Sequence, residues 1–104
     1  MQRIAFKMKL HKGCEAEYER RHNAIWPELA LLLKDAGIED YSIFFDKDTN
    51  VLFAYLKCIN VKAMEYLPRH PIMQRWWRYM KDIMETNNDT SPVTTELKEV
   101  FYMP

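Results

Sequence analysis

Apolar residues in this chain switch their spacing from two to about 3.6 and back, twice over, and that rhythm leaves few folds open. Ile4, Phe6, Met8 and Leu10 recur at every second position with Arg3, Lys7 and Lys9 among the residues between them, as in a strand with one face in a core. Ile25, Leu29, Leu32, Leu33 and Ala36 then follow helical spacing, and Gly37 stands where a helix-ending glycine would. Glu15 to His22 also reads as helix. Pro27 cannot donate to the carbonyl of Asn23 and pushes Trp26 out of the helical region, so two helical pieces are expected, broken at about His22 to Trp26.

The rhythm then repeats. Tyr41, Ile43 and Phe45 alternate with Ser42, Phe44 and Asp46, the run from Asp46 to Asn50 is a turn, and Val51 to Cys58 completes a hairpin. Asn60 is placed to cap a short helix from Val61 to Leu67, and Pro71 suits the first turn of a further helix. In that helix Met73, Trp76, Trp77, Met80 and Met84 share one face. Asn87 to Pro92 is a polar loop, and Thr94 to Met103 reads as a last strand. The order β-α-β-β-α-β is the ferredoxin-like α+β arrangement, with helices on one face of an antiparallel sheet. The other face needs cover, and Phe44, Val100 and Tyr102 are set to lie there, opposite Ile43 and Phe101. A second copy is the simplest cover, so a sheet-to-sheet homodimer is expected. A length of 104 residues gives one domain, 1–104, with a modest core.

Composition removes several classes of function. Fifteen Lys and Arg balance fifteen Asp and Glu, so neither nucleic acid nor an anionic membrane is an expected partner. Gly13 and Gly37 are the only glycines, which rules out a phosphate-cradling loop. Cys14 and Cys58 follow no pairing or metal pattern and read as free thiols in a reducing compartment. Charges interrupt the N-terminal run every few residues, unlike a secretory signal, so the cytoplasm is the expected location. His11, His22 and His70 have no metal-ligand spacing, and no G-x-S-x-G turn is present.

What chemistry remains centres on His22. It follows Tyr18 by four residues, so phenol and imidazole share a helix face, and it lies at the expected break. An imidazole titrates near neutrality and suits a general acid or base, although the same spacing fits an ordinary half-buried pair at a kink. Trp76 and Trp77 diverge by about 100° on a helix, so one can cover the sheet while the other walls a cavity. An indole face suits the C–H face of a sugar ring. Tyr41 opens the second strand, where its phenol either enters a groove or reaches water. Glu15, Glu17, Glu19, Arg20 and Arg21 read as a solvated helix face, as do Arg75, Arg78 and Lys81.

Three segments carry a family resemblance: Tyr18-Glu19-Arg20-Arg21-His22-Asn23-Ala24-Ile25-Trp26-Pro27-Glu28-Leu29, Gln74-Arg75-Trp76-Trp77-Arg78-Tyr79-Met80, and the tail from Ser91-Pro92 through Leu97-Lys98-Glu99-Val100-Phe101-Tyr102. Together they resemble the L-rhamnose mutarotases, and the likeness runs end to end. It implies a cofactor-independent isomerase that interconverts the α and β anomers of L-rhamnose in rhamnose catabolism, acting as a homodimer with a dimeric α/β barrel-type assembly. By the same resemblance the proton-donating histidine falls on His22, and the sugar-contacting residues fall on Tyr18, Tyr41, Trp76 and Trp77. The expected chemistry is proton delivery from protonated His22 to the ring oxygen, opening of the hemiacetal, rotation, and reclosure on the other face. The base at the anomeric hydroxyl and the tryptophan facing the ring stay open at this stage. Two rivals also remain: another enzyme on the same fold, either a cofactor-free monooxygenase or a haem-handling protein, and a sugar-binding module without catalysis.

Overall fold

Each change of period in the sequence becomes a change of element. In the computed structural model, which covers residues 1–104, the order is β1 (Gln2–Lys9), α1 (Glu15–Asn23), α2 (Pro27–Asp35), β2 (Ile38–Asp46), β3 (Val51–Cys58), α3 (Val61–Glu65), α4 (Pro71–Met80) and β4 (Thr95–Leu97). The strands form one antiparallel sheet in the order β2-β3-β1-β4. Four helices and a four-stranded antiparallel sheet make this the expected α+β arrangement of the split βαβ type.

Register decides which residues meet the helices. Met8 pairs with Leu52 and Phe6 with Ala54, and these residues turn inward together. On β2 the parity changes within the strand: Ile38 and Ile43 both pack into the core although their positions differ by an odd number. The ladder jumps from Glu39 opposite Lys57 to Ser42 opposite Tyr55, so Asp40 and Tyr41 together oppose the single residue Leu56. This is a β-bulge, and Asp40 absorbs it in the left-handed region at φ 50°. The extra residue brings Ile38 onto the same inward face as Ile43 and Phe45.

The core lies between sheet and helices in two clusters. One gathers Met8, Leu10, Tyr18, Leu29, Leu52, Ala54, Trp76, Met80, Ile83 and Met84, and the other Ala36, Ile38, Leu56, Cys58 and Leu67. Phe6, Leu32 and Leu33 pack against both and join them. Cys14 and Cys58 are unpaired, the second fully enclosed. Gly37 ends α2 at φ +85°, as expected of a C′ glycine, and a Cβ there would press on Ile59 at 3.3 Å.

Three expectations need correction. The helix after Asn60 stops at Glu65 and passes into a 3-10 turn over Leu67–Arg69, because Pro68 has no N–H with which to continue it. Helix α4 ends at Met80, so Met84 reaches the core from the loop beyond and pairs with Leu10 by an isolated bridge. The last strand is Thr95–Leu97, much shorter than Thr94 to Met103. Beyond it Glu99 grips Arg3 through two hydrogen bonds of 3.0 and 2.7 Å, and Tyr102 lies 3.3 Å beneath the same guanidinium. Side-chain contacts thus replace the ladder.

Two helix starts are capped by side chains. Asn60 accepts from the Lys62 N–H at 3.0 Å, and His70 Nδ1 accepts from the Ile72 N–H at 3.2 Å. The latter matters more, because α4 carries Trp76. His70→Ala removes that acceptor and is expected to cost about 1 kcal/mol. In a chain of this size that is a fall of roughly 4 to 8 °C in melting temperature. His70→Asn, which restores a capping oxygen, should recover most of it in the same thermal melt.

Candidate active site

Helix α1 ends one residue after His22, at Asn23, and Trp26 turns extended at ψ 130° before Pro27 starts α2. The chain therefore breaks over Ala24 to Trp26, within the expected interval, and the last turn of α1 lines a groove. That groove has a volume of about 1150 Å³ and is walled by α1, α2, β2 and α4. Tyr18, His22, Tyr41 and Trp76 all line it, with Ile25, Leu29, Ile43 and Met73 supplying apolar surface. Trp77 does not line it; its indole packs half-buried against the larger core cluster. The helical divergence of adjacent residues separates the two tryptophans in this way.

The aromatic groups are ordered around His22. Its ring stacks on Tyr18 at 4.2 Å between centroids and meets the edge of Trp76 at 5.4 Å. Trp76 in turn meets Trp26 edge-on at 5.1 Å, and Tyr79 packs on both, 5.7 Å from Trp26 and 5.6 Å from Trp76. Such pairs add about 0.5 to 1.5 kcal/mol each beyond the area they bury. Trp76 is only 6% exposed, so one indole serves as both core and groove wall.

His22 Nδ1 lies 3.0 Å from the backbone oxygen of Tyr18. A carbonyl oxygen only accepts, so Nδ1 carries the hydrogen and Nε2 is left without a protein partner. Burial pushes the imidazole below its ordinary value, against the smaller upward pull of the carbonyl bond. The neutral ring, with a free lone pair on Nε2, is therefore the resting form near neutrality. Burial, reinforced by nearby Tyr41, drives the Tyr18 phenol far above its ordinary value. Burial pushes the Tyr41 phenol up to about 12, although 40% of the residue remains exposed. Both phenols stay protonated and can donate hydrogen bonds.

Around this aromatic wall stand Glu15, Glu19 and Asn23 of α1, Lys34 of α2, and Glu39 and Asp40 of β2, all solvent-exposed. No group of three or more His, Cys, Asp and Glu side chains converges as a metal site would. Sequence spacing pointed to neither Tyr79 nor Arg21 as part of the site. Tyr79 follows Trp76 by three residues on α4, a signal that was available in the sequence. Arg21 overturns the reading of α1 as a solvated face: it is 8% exposed, while Glu15, Glu19 and Arg20 are exposed as expected.

Comparison with known proteins agrees with the chain's own geometry. The family model for L-rhamnose mutarotase matches residues 3–103. An L-rhamnose mutarotase of Phocaeicola vulgatus is 56% identical over 103 residues, covering 99% of each chain. One from Leptothrix cholodnii is 54% identical over 102 residues, covering 98% of this chain and 96% of the relative. The crystal structure of an L-rhamnose mutarotase from Formosa agariphila superposes with a TM-score of 0.94 at 49% identity, over the whole of both chains. With a match this long at this identity, the chain belongs to the L-rhamnose mutarotase family.

Proposed function

We propose that this chain interconverts the α and β anomers of L-rhamnose, with His22 moving the protons and Tyr18, Tyr41 and Trp76 holding the sugar, while Trp77 stays packed against the core. Membership of the family supports the reaction. One observation supports the assignment of roles: the tie between His22 Nδ1 and the Tyr18 carbonyl leaves Nε2 as the uncommitted nitrogen of a groove-lining imidazole. The neutral ring first accepts the anomeric hydroxyl proton. The O1–H electron pair forms the C1=O1 double bond, and the C1–O5 pair leaves with O5. The imidazolium then returns its proton to O5, giving the open aldehyde. Rotation about C1–C2 presents the other carbonyl face, and the same steps reversed close the opposite anomer. The order of transfers differs from one starting at protonated His22, because burial disfavours that form.

The phenols of Tyr18 and Tyr41 donate hydrogen bonds to sugar oxygens in this scheme, and Trp76 lies against the ring. We extend the reading to one catalytic domain over residues 1–104, working in the cytoplasm on a free sugar without a cofactor. Two unpaired cysteines are compatible with that compartment. No helix is long and apolar enough to cross a membrane.

The reading includes a homodimer. Phe44 pairs with Phe53 across the sheet face away from the helices, and Phe44 is 67% exposed. Tyr55 and Leu97 continue that face, each paired with Ala5. A second copy would cover this apolar surface.

Saturation-transfer proton NMR on the two anomeric signals of L-rhamnose tests the activity directly. Protein should transfer saturation from one anomer to the other well above the buffer rate. A buffer-like rate would favour the sugar-binding module, in which tryptophan fluorescence responds to sugar without exchange. His22→Ala should lower kcat by about 10² to 10⁴ with the fold intact. For the wild type, kcat/KM should stay level near neutrality and fall with acid, through a midpoint below the ordinary 6.5 of histidine, as Nε2 takes a proton and loses its lone pair. Trp76→Ala should raise KM much more than Trp77→Ala does; equal effects would mean that both indoles meet the sugar. Sedimentation should give twice the 12.6 kDa chain mass, and Phe53→Glu should shift the protein toward monomer.

A further inference from the structure

Arg21 is the one charged residue that the fold buries, and its guanidinium is almost fully engaged. Nε donates to Glu17 Oε2 at 2.7 Å, one helical turn back on α1. Nη1 donates to the backbone oxygen of Tyr79 at 2.7 Å and to Asp82 Oδ1 at 2.8 Å, while Nη2 reaches Asp82 Oδ2 at 3.1 Å. The same plane lies 4.4 Å over the Tyr79 ring. Tyr79 is the last residue but one of α4, so its carbonyl is one of those a helix end leaves without an internal partner. A cation there also meets the negative end of the helix dipole. Burying such a cluster does not by itself favour stability over an apolar side chain of like volume. What the fork supplies is direction: it fixes α1 to α4 in distance and in rotation.

We propose that Arg21 is a positioning residue, whose guanidinium locks the last turn of α1 against the end of α4 and so holds the neighbouring His22 ring edge-on to Trp76. The mechanical route is short. Arg21 seats Tyr79, Tyr79 packs on Trp26 and Trp76, and Trp76 closes on His22. This inference rests on the reading of His22 as the acid–base group. The imidazole stacks on the neutral phenol of Tyr18 from α1 and meets the indole of Trp76 from α4, and the neutral phenol of Tyr41 from β2 lines the same groove. The charged groups Glu15, Glu19, Lys34, Glu39 and Asp40 line the same groove. Loosening α1 from α4 admits water to the ring, favours the imidazolium and raises its titration midpoint.

Arg21→Met, of similar length and without charge, and Asp82→Asn, which keeps Arg21 but removes its carboxylate partner, form the test. The His22 ring is titrated by proton–carbon NMR in each folded variant, and kcat and KM are measured beside it. In Arg21→Met the His22 midpoint should move up toward 6.5 and kcat should fall at least tenfold, with a smaller change in KM. Asp82→Asn should shift both in the same direction by less. A folded Arg21→Met protein with wild-type His22 titration and kcat overturns the proposal, even if it melts lower. Should Arg21→Met fail to fold, an unshifted Asp82→Asn protein overturns it equally. The titration reads positioning without reference to turnover. A wild type that fails to exchange anomers would overturn the mutarotase reading while the NMR shift still judged Arg21.

Discussion

Pro27 has no N–H for the carbonyl of Asn23, and the architecture of the site follows from that missing donor. The first crossover cannot be one long helix and becomes two of nine residues each, Glu15–Asn23 and Pro27–Asp35. Helix α2 uses its Leu29, Leu32 and Leu33 side to cover the sheet. Helix α1, released from that direction, brings its last turn to α4. The space between the two helices and β2 is the groove, and His22 stands on its wall because the helix stops one residue later.

One short helix then carries two different environments. Tyr18 and His22 form one i,i+4 pair, and Glu17 and Arg21 form another, displaced by one residue and so by about 100° around the axis. The first pair faces an aromatic, poorly solvated wall where burial disfavours the charge on an imidazole. The second holds its charges in hydrogen bonds. Glu17 is held down at about 2 by Arg20 and Arg21, and Arg21 is held up chiefly by Asp82. Glu17 and Asp82 are open to water, so the worth of the cluster lies more in geometry than in Coulomb energy. Backbone termination and ionic anchoring therefore act at the same turn of helix, one opening the site and the other fixing its angle.

Much of this was legible in the sequence, for reasons that can be named. Element order followed from the change of period, and the helix break from Pro27, because both are local properties of the chain. Spacing put Tyr41 in step with Ile43 and Phe45 but left open whether its phenol enters the groove, and nothing in the sequence revealed the bulge that reconciles that phase with Ile38. The tail after Leu97 was read as a continuation of the last strand, because the contact that holds it is not local in the sequence. In the fold it is held by Arg3, 96 residues from Glu99 in sequence. Arg21 was misread for a related reason. A Glu–Arg pair at i,i+4 looks the same on an exposed helix as on one whose guanidinium also meets Asp82, 61 residues away. Deciding between Trp76 and Trp77 required knowing which side of α4 the groove occupies.

The small size of the machinery agrees with the reaction proposed for it. Ring opening needs a proton removed from O1 and one supplied to O5, and both oxygens are bonded to C1. A single nitrogen placed near that carbon can serve both in turn, so no second acid–base residue has to be assigned. Tyr18 and Tyr41 would make poor partners in proton removal, since burial keeps both phenols protonated. As donors in the proposed scheme they would instead fix which oxygens face Nε2. The ring must also release C1 to rotate, which favours a flat indole edge and apolar walls over a cage of tight ionic contacts. Acid–base assistance of about 10² to 10⁴ is within reach of one well-held imidazole. The demand on the fold is therefore to keep that ring neutral, oriented and next to an open space.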